Sequence, residues 1–264
     1  MRRKPLVPAL LAGLALSGVV QAALHDRGGG LIYDDVLNIT WLQDANLAAS
    51  NTFGLPYDTD LGNHPSDSFG AYSEIMYTNG SMTWGAALHW IDAMNAANYL
   101  GYSDWRLPRV APVNGTAFDY SYSETGTSDV GYNVSAPGSA YAGATGSEMA
   151  HLFFNTLGNT AHYDPTTGQP QPFSGFTNSG PFQNFKESWY WSGTEPEVFS
   201  PYYIYSAWTF MPVDGSQDAF TKSNYSYAWA VRAGDVAAVP EPESYALMLA
   251  GLGLVGVAGR RRRG

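Results

Sequence analysis

The side chains with which this 264-residue chain could do chemistry are 23 carboxylates, 13 Lys or Arg and five His, with no Cys at all. His25, His64, His89, His151 and His162 never fall in an HxxxH or HExxH spacing, so no two imidazoles share a helix face in the way a zincin needs. The missing thiols remove disulfide scaffolds, zinc ribbons, Fe–S clusters, thiol nucleophiles and lipid-modified cysteine. Asp58-Thr59-Asp60 opens like a calcium loop, yet Gly62 and Phe69 stand where such a loop needs a ligand and its bidentate Glu. No Gly-x-Ser-x-Gly elbow occurs, and a dispersed Ser–His–Asp triad or carboxylate pair leaves no signature in a single sequence. The residues therefore assign no catalytic, metal or cofactor role, and calcium is the one ion with any motif to hold it. Which residues bind a ligand is unknown at this level.

The position of the charges says more than their sum. Charged residues make up 14% of the chain, against roughly 25% in an average soluble domain, while aromatic residues make up another 14%. Three bases (Arg2, Arg3, Lys4) open the chain and four (Arg260, Arg261, Arg262, Arg263) close it. Six remain between them: Arg27, Arg106, Arg109, Lys186, Lys222 and Arg232. Glu241 and Glu243 lie in the C-terminal segment, which leaves 21 acids against those six bases, a formal charge of −15 for the body between about Ala23 and Ala238. Such a body cannot neutralise phosphates, so nucleic acid is excluded as a partner.

The two tips read as addresses. Residues 1–22 carry a basic start, an apolar stretch from Leu6 to Val20 and a small-x-Ala site at Val20-Gln21-Ala22, which is a secretory signal peptide. Residues 239–264 carry Val239-Pro240-Glu241-Pro242, an apolar run over 245–259 that serves as a membrane helix, and the Arg cluster, which stays cytoplasmic. A literal Gly-x-Gly-x-x-Gly (Gly251, Gly253, Gly256) sits inside that run with no strand before it and no acid after it, so it marks small residues of a membrane helix and no dinucleotide site. Pro240, Glu241 and Pro242, the helix and Arg260 to Arg263 together resemble the PEP-CTERM sorting signal of Gram-negative bacteria. The resemblance implies an exosortase-type processing enzyme as partner, attachment to the inner membrane before processing, and then the outer surface or extracellular matrix, in bacteria that make exopolysaccharide.

Between the tips, one α+β domain over 23–238 accounts for the order of elements. Leu31-Ile32-Tyr33 and Asn38 to Leu42 predict a hairpin turned at Asp34-Asp35. Residues 50–80 read as loop. Thr83 to Tyr99 is the clearest helix, with Trp84, Ala87, Leu88, Ile91, Met94 and Asn98 on one side and Thr83 as N-cap. His89, Asp92 and Asn95 form its exposed polar stripe. A Gly- and Tyr-rich stretch, 111–146, reads as an elaborated surface loop. Ser147 caps a second helix, Met149, Leu152, Phe153 and Leu157 make its face, and Gly158 ends it. Ser188 to Ser192, Ala207 to Met211 and Tyr225 to Arg232 are aromatic strands. The expected architecture is two helices on a small antiparallel sheet with long loops.

Several of these segments match one pattern. Asn38-Ile39-Thr40-Trp41-Leu42, Met82-Thr83-Trp84, Asp104-Trp105-Arg106-Leu107-Pro108, Tyr190-Trp191-Ser192-Gly193-Thr194-Glu195, Ala207-Trp208 and Ala228-Trp229-Ala230-Val231-Arg232 resemble, in order and over about 31–232, the Lcl C-terminal domain family. The resemblance implies a C-type-lectin-like fold, and some members are surface adhesins for glycosaminoglycan-like polysaccharides. The lectin-like fold also includes oxidases with reactive cysteines, a branch closed to a chain without any. Glu195-Pro196-Glu197 is similar to the Glu-Pro-x calcium and sugar ligands of C-type lectins, without the downstream Trp-Asn-Asp. On chemistry alone the motif residues read as scaffold. Trp105 and Leu107 anchor the core, Pro108 stops a strand, and Arg106 pairs with a carboxylate such as Glu148 or Glu195.

The expected function is a non-enzymatic, exported cell-surface or biofilm-matrix protein for adhesion through carbohydrate binding. A body at −15 repels sulfated polyanions, so the expected partner is a neutral or weakly charged polysaccharide, stacked on Tyr and Trp of the 50–80 and 111–146 loops. The alternatives are a secreted glycan hydrolase using two carboxylates, or a structural matrix module with a protein partner.

Overall fold

The computed structural model describes residues 24–67, 72–172, 174–197 and 203–236. The segments read as signal peptide (1–22) and sorting signal (239–264), with the expected membrane helix 245–259, lie outside the described residues. Among the described residues no helix is long and apolar enough to cross a membrane.

The expected hairpin forms. Strands β2 (Leu31–Asp34) and β3 (Ile39–Leu42) pair antiparallel with Leu31 opposite Leu42 and Asp34 opposite Ile39. Asp34 makes the turn: its Oδ1 accepts from the amides of Val36 (3.1 Å) and Leu37 (3.0 Å), as an Asx turn does. A strand that the pattern did not reveal, β1 (Leu24–Gly28), pairs with β2.

The last third departs from expectation. There are two sheets, and they are not wholly antiparallel. The larger one contains β4 (Ser81–Met82), β5 (Tyr122–Ser123), β6 (Val130–Tyr132), β7 (Tyr190–Trp191), β8 (Ser206–Met211), β9 (Ser216–Thr221) and β10 (Ser226–Tyr227), in the order β4-β10-β7-β8-β9-β6-β5. Two of its pairings, β10 with β7 and β5 with β6, are parallel. The segment Tyr225 to Arg232, expected as one strand, divides. Its start is β10, its end is β11 (Val231–Ala233) beside β3, and Ala228, Trp229 and Ala230 are buried between. β9 begins Ser-Gln-Asp and carries little β signal. Its six cross-strand partners on β8 decide its state, which is how strand propensity is ordinarily overridden. The four-stranded sheet, order β1-β2-β3-β11, thus joins the first strands to the last.

Helix α1 (Trp84–Ala96) buries Trp84, Ala86, Ala87, Trp90, Ile91 and Met94, and is three residues shorter than expected because Asn98 turns left-handed at φ +49°. Thr83 does not cap it with its side chain; its hydroxyl accepts the amide of Ile75 instead. Helix α2 (Glu148–His151) is capped by Ser147, whose hydroxyl accepts the amide of Ala150, and continues as a π turn over Leu152–Thr156. The expected face of Met149, Leu152, Phe153 and Leu157 is buried. Gly215, at φ +74°, ends the β8–β9 connection where a Cβ would meet Phe153 and Phe154 at 3.0 Å, so only glycine lets the turn approach the π turn.

Asp34 is fully buried, its Oδ2 has no hydrogen-bond partner, and burial pushes its carboxyl above the usual range. A raised carboxyl favours the fold most when protonated, below its unfolded value, and that contribution is lost as pH rises through its folded value. Asp34→Asn keeps the Oδ1 acceptor and removes the buried charge. Relative to the wild type the variant should gain stability as pH rises from acid to neutral, because it has no buried carboxyl to ionise; thermal unfolding across pH reads that trend.

Candidate functional site

The motif residues interlock. Arg106 and Val231 exchange both backbone hydrogen bonds at 2.8 Å, and the Asp104 carboxylate accepts from Nε (2.8 Å) and Nη2 (3.0 Å) of Arg232. The Arg232 guanidinium also lies 4.0 Å from the Tyr102 ring centroid. Arg106 meets Glu148, with both guanidinium nitrogens at 2.7 Å from the two carboxylate oxygens, and Glu148 further accepts the amide of Arg109. Of the two carboxylates open to Arg106, Glu148 is the one used. The Pro108 carbonyl accepts from Gly193, and the Thr194 hydroxyl accepts the amide of Val110. Trp105 and Leu107 are each 3% exposed.

The tryptophans correct the expectation that they stack on sugar. Trp41, Trp84, Trp90, Trp105, Trp191, Trp208 and Trp229 are all buried. Most act as ties, because a buried indole N–H needs an acceptor. Trp84 donates to the Ser192 carbonyl, Trp191 to Met82, Trp229 to Leu42, Trp90 to Asn51 and Trp105 to Tyr99. Tyr190 is likewise buried, and its hydroxyl accepts the amide of Lys186. Only Trp189, packed on Phe220 at 4.2 Å, is partly exposed.

Residues 58–67 and 72–74 fold back onto α1: of its polar stripe, Asp92 is exposed as expected, while His89 and Asn95 are partly buried. His64 takes the Ser66 amide on Nδ1, so its Nε2 carries the proton and donates to Asp92 at 3.0 Å. His89 Nε2 lies 2.9 Å from the Gly62 carbonyl and 3.1 Å from Glu74. Asn95 exchanges two hydrogen bonds with the backbone of Trp105. Glu74 is fully buried, which raises its carboxyl, and both its oxygens accept the His64 amide. Its carboxylate occupies the space that a Cβ on Gly85 would fill. The start of α1 is capped by Tyr72, whose hydroxyl accepts the amide of Gly85 and donates to Asp67 at 2.6 Å. Asp67 in turn binds the fully buried Lys222 at 2.6 Å. The Lys222 ammonium also lies 3.2 Å from Glu195 and 4.4 Å from the Trp84 ring. Of the Glu195-Pro196-Glu197 and Asp58-Thr59-Asp60 carboxylates, Glu195 holds Lys222, and Asp60 holds the amides of Gly62 and Glu74. Among the described residues no group of three or more His, Asp or Glu is disposed to hold a metal ion.

What reaches the surface is tyrosine. Buried Asp129 organises loop 111–131 by accepting the amides of Val113 (2.7 Å) and Asp119 (2.8 Å). This places Tyr120 nearly parallel to Trp208 (13°, 5.8 Å) and to Tyr203 (27°, 4.8 Å), with both latter rings stacked on it. Tyr122, 62% exposed, meets Tyr132 edge-on at 6.4 Å. Tyr132 meets Tyr163 at 4.7 Å, Tyr163 meets His162 at 4.7 Å, and the Tyr132 hydroxyl donates to Asp214. Burial raises the Tyr132, Tyr122 and Tyr203 phenols and the Asp218 carboxyl, and the carboxylate of Asp214 adds to the rise at Tyr132, from whose hydroxyl it accepts. In loop 50–80 the partly exposed Tyr77 meets Tyr225, 50% exposed, edge-on at 4.8 Å. The sequence flagged loop 111–146 by its recurring tyrosines; nothing local flagged Tyr163, Tyr203 or Asp214, which the sheet brings alongside. The surface offers aromatic faces rimmed by hydroxyl and carboxylate groups. Pro240, Glu241, Pro242 and Arg260, Arg261, Arg262 and Arg263 lie outside the described residues.

The model of the Lcl C-terminal domain family matches residues 30–232, and that of the PEP-CTERM protein-sorting motif matches residues 238–263. No curated protein and no solved structure matches the chain.

Lys222→Met leaves the Asp67 carboxylate buried without its cation. It should cost about 3–5 kcal/mol in urea unfolding, and Lys222→Met with Asp67→Leu should recover part of that loss.

Proposed function

The chain belongs to the Lcl C-terminal domain family and carries a sorting motif that marks it for an exosortase, and from that premise we propose a non-enzymatic protein of the outer surface or biofilm matrix that holds polysaccharide. Its fold in this reading is C-type-lectin-like, as family membership implies. Export and membrane attachment through the C-terminal segment precede exosortase processing, after which the acidic body meets the polymer outside the cell.

One observation carries the reading. The protein buries its tryptophans and exposes tyrosine rings in contact with one another, on a loop held by the buried Asp129. Sugars present apolar C–H faces and a hydroxyl rim, and that pairing suits flat rings edged by acceptors such as Asp214. The ligand is neutral or weakly charged, because six bases among 21 acids in the body offer no basic field, and four of those bases are engaged with carboxylates. No cofactor is needed for stacking, and calcium has no part in it.

The mature protein should bind its host's exopolysaccharide in calorimetry or pull-down, with and without calcium. Tyr122→Ala and Tyr203→Ala should each weaken binding about threefold to tenfold, from the roughly 0.5–1.5 kcal/mol of an aromatic contact. A sulfated polymer should not bind even at low salt. Absence of any binding to neutral polysaccharide, or binding indifferent to both tyrosine changes, would defeat the reading.

A further inference from the structure

Beside the tyrosine strip the surface opens into a pocket of about 180 Å³. That is room for several waters, and so for one sugar ring. Its apolar side is Ala136, Pro137, Phe154 and Pro165. Its polar side includes Asn133 and Gln171, and none of the residues lining it is charged.

The two amides are fixed by what their nitrogens do. Asn133 Nδ2 donates to the carbonyls of Glu124 (2.7 Å) and Tyr163 (2.8 Å), and Gln171 Nε2 donates to those of Ala161 (2.9 Å) and Tyr163 (3.1 Å). With both N–H bonds of each amide given to backbone, the group left to a ligand is the carbonyl oxygen, an acceptor. Acceptors without charge select hydroxyl donors, and they give nothing to a carboxylate or sulfate. Tyr163 links pocket to strip: its carbonyl holds both amides, and its ring packs on Tyr132. A second void, an apolar seam lined by Phe153, Phe176 and Phe210, measures about 10 Å³ and has no comparable capacity.

We infer that this pocket is a subsite for a single neutral sugar unit of the polymer, setting which unit stands at one place along the strip. The inference rests on the polysaccharide reading and adds to it the class of unit recognised: an uncharged hexose that donates hydroxyl hydrogens to Asn133 and Gln171 while its C–H face lies on the prolines.

The test uses the full chain purified in detergent, with saturation-transfer NMR against glucose, galactose, mannose, N-acetylglucosamine and glucuronate, and calorimetry against neutral polysaccharide. At least one neutral monosaccharide should bind at millimolar concentration, and glucuronate about tenfold more weakly. Thr160→Trp, at an exposed position on the pocket lining, should abolish that signal, while Val36→Ala, at an exposed position of the β2–β3 turn outside both pocket and strip, should leave it intact. Pro137→Trp blocks the pocket from a different position and serves if the first variant does not fold, as judged by its melting midpoint. The subsite is overturned, with the polysaccharide reading left standing, if polymer binds but no neutral monosaccharide does. It is overturned equally if both filled variants bind polymer and monosaccharide as the wild type does. A monosaccharide signal that either filled variant abolishes, in a chain that binds no polymer, upholds the pocket and overturns the tyrosine strip.

Discussion

Scarce positive charge is the constraint on which this structure depends. Six cations serve 21 carboxylates in the body, and four of them join parts of the chain that are distant in sequence: Arg27 to Asp235, Arg106 to Glu148, Lys222 to Asp67, and Arg232 to Asp104. Two of the ties fasten the sheet that brings the first strands to the last, since Arg27 lies on β1 and Arg232 on β11. Arg106 locks the segment between the helices to the start of α2. Lys222, just past β9, is the buried charge that Asp67 binds and to which Tyr72 is joined through Asp67. The carboxylates left over are held by backbone amides, as Asp34, Asp60 and Asp129 show.

The same economy separates the aromatic residues by role. A tryptophan carries a large apolar body and one donor, so it can both fill the core and tie two elements, and five of the eight tryptophans are used in that way. Tyrosine tolerates water at its hydroxyl and keeps an apolar face, and the long loops bring it outward. The motifs that mark the family are therefore the framework, and the tyrosines that reach the surface lie outside them. That division follows the general tendency of binding residues to sit on loops carried by a rigid scaffold.

Local chemistry made much of this legible. The Asp34-Asp35 hairpin and the Ser147 cap are set within a few residues, by turn chemistry and capping, and stand where the pattern put them; of the expected α1 face Trp84, Ala87, Ile91 and Met94 are buried, Leu88 is partly so, and Asn98 lies beyond the helix. Arg106 was readable as a paired cation because so few cations exist, although Glu148 and Glu195 were equivalent candidates until the fold placed one beside it and gave the other to Lys222. His89, Asp92 and Asn95 read as an exposed stripe because helical periodicity shows which side faces away from the apolar one, and cannot show that a loop returns to cover part of it. Strand β9 was invisible because its residues are indifferent to strand and are fixed by β8.

By itself, then, the sequence determined an exported-type, acidic, cysteine-free body with its address signals at the tips, two helices, several strands and a set of family motifs, since all of these are local in composition or spacing. The tertiary structure decided the partition into two sheets, the partner of each scarce cation, the withdrawal of tryptophan from the surface, and the gathering of Tyr122, Tyr132, Tyr163 and Asp214 beside a small uncharged pocket. Those outcomes depend on contacts between residues tens to hundreds of positions apart, and no window of local pattern contains both partners.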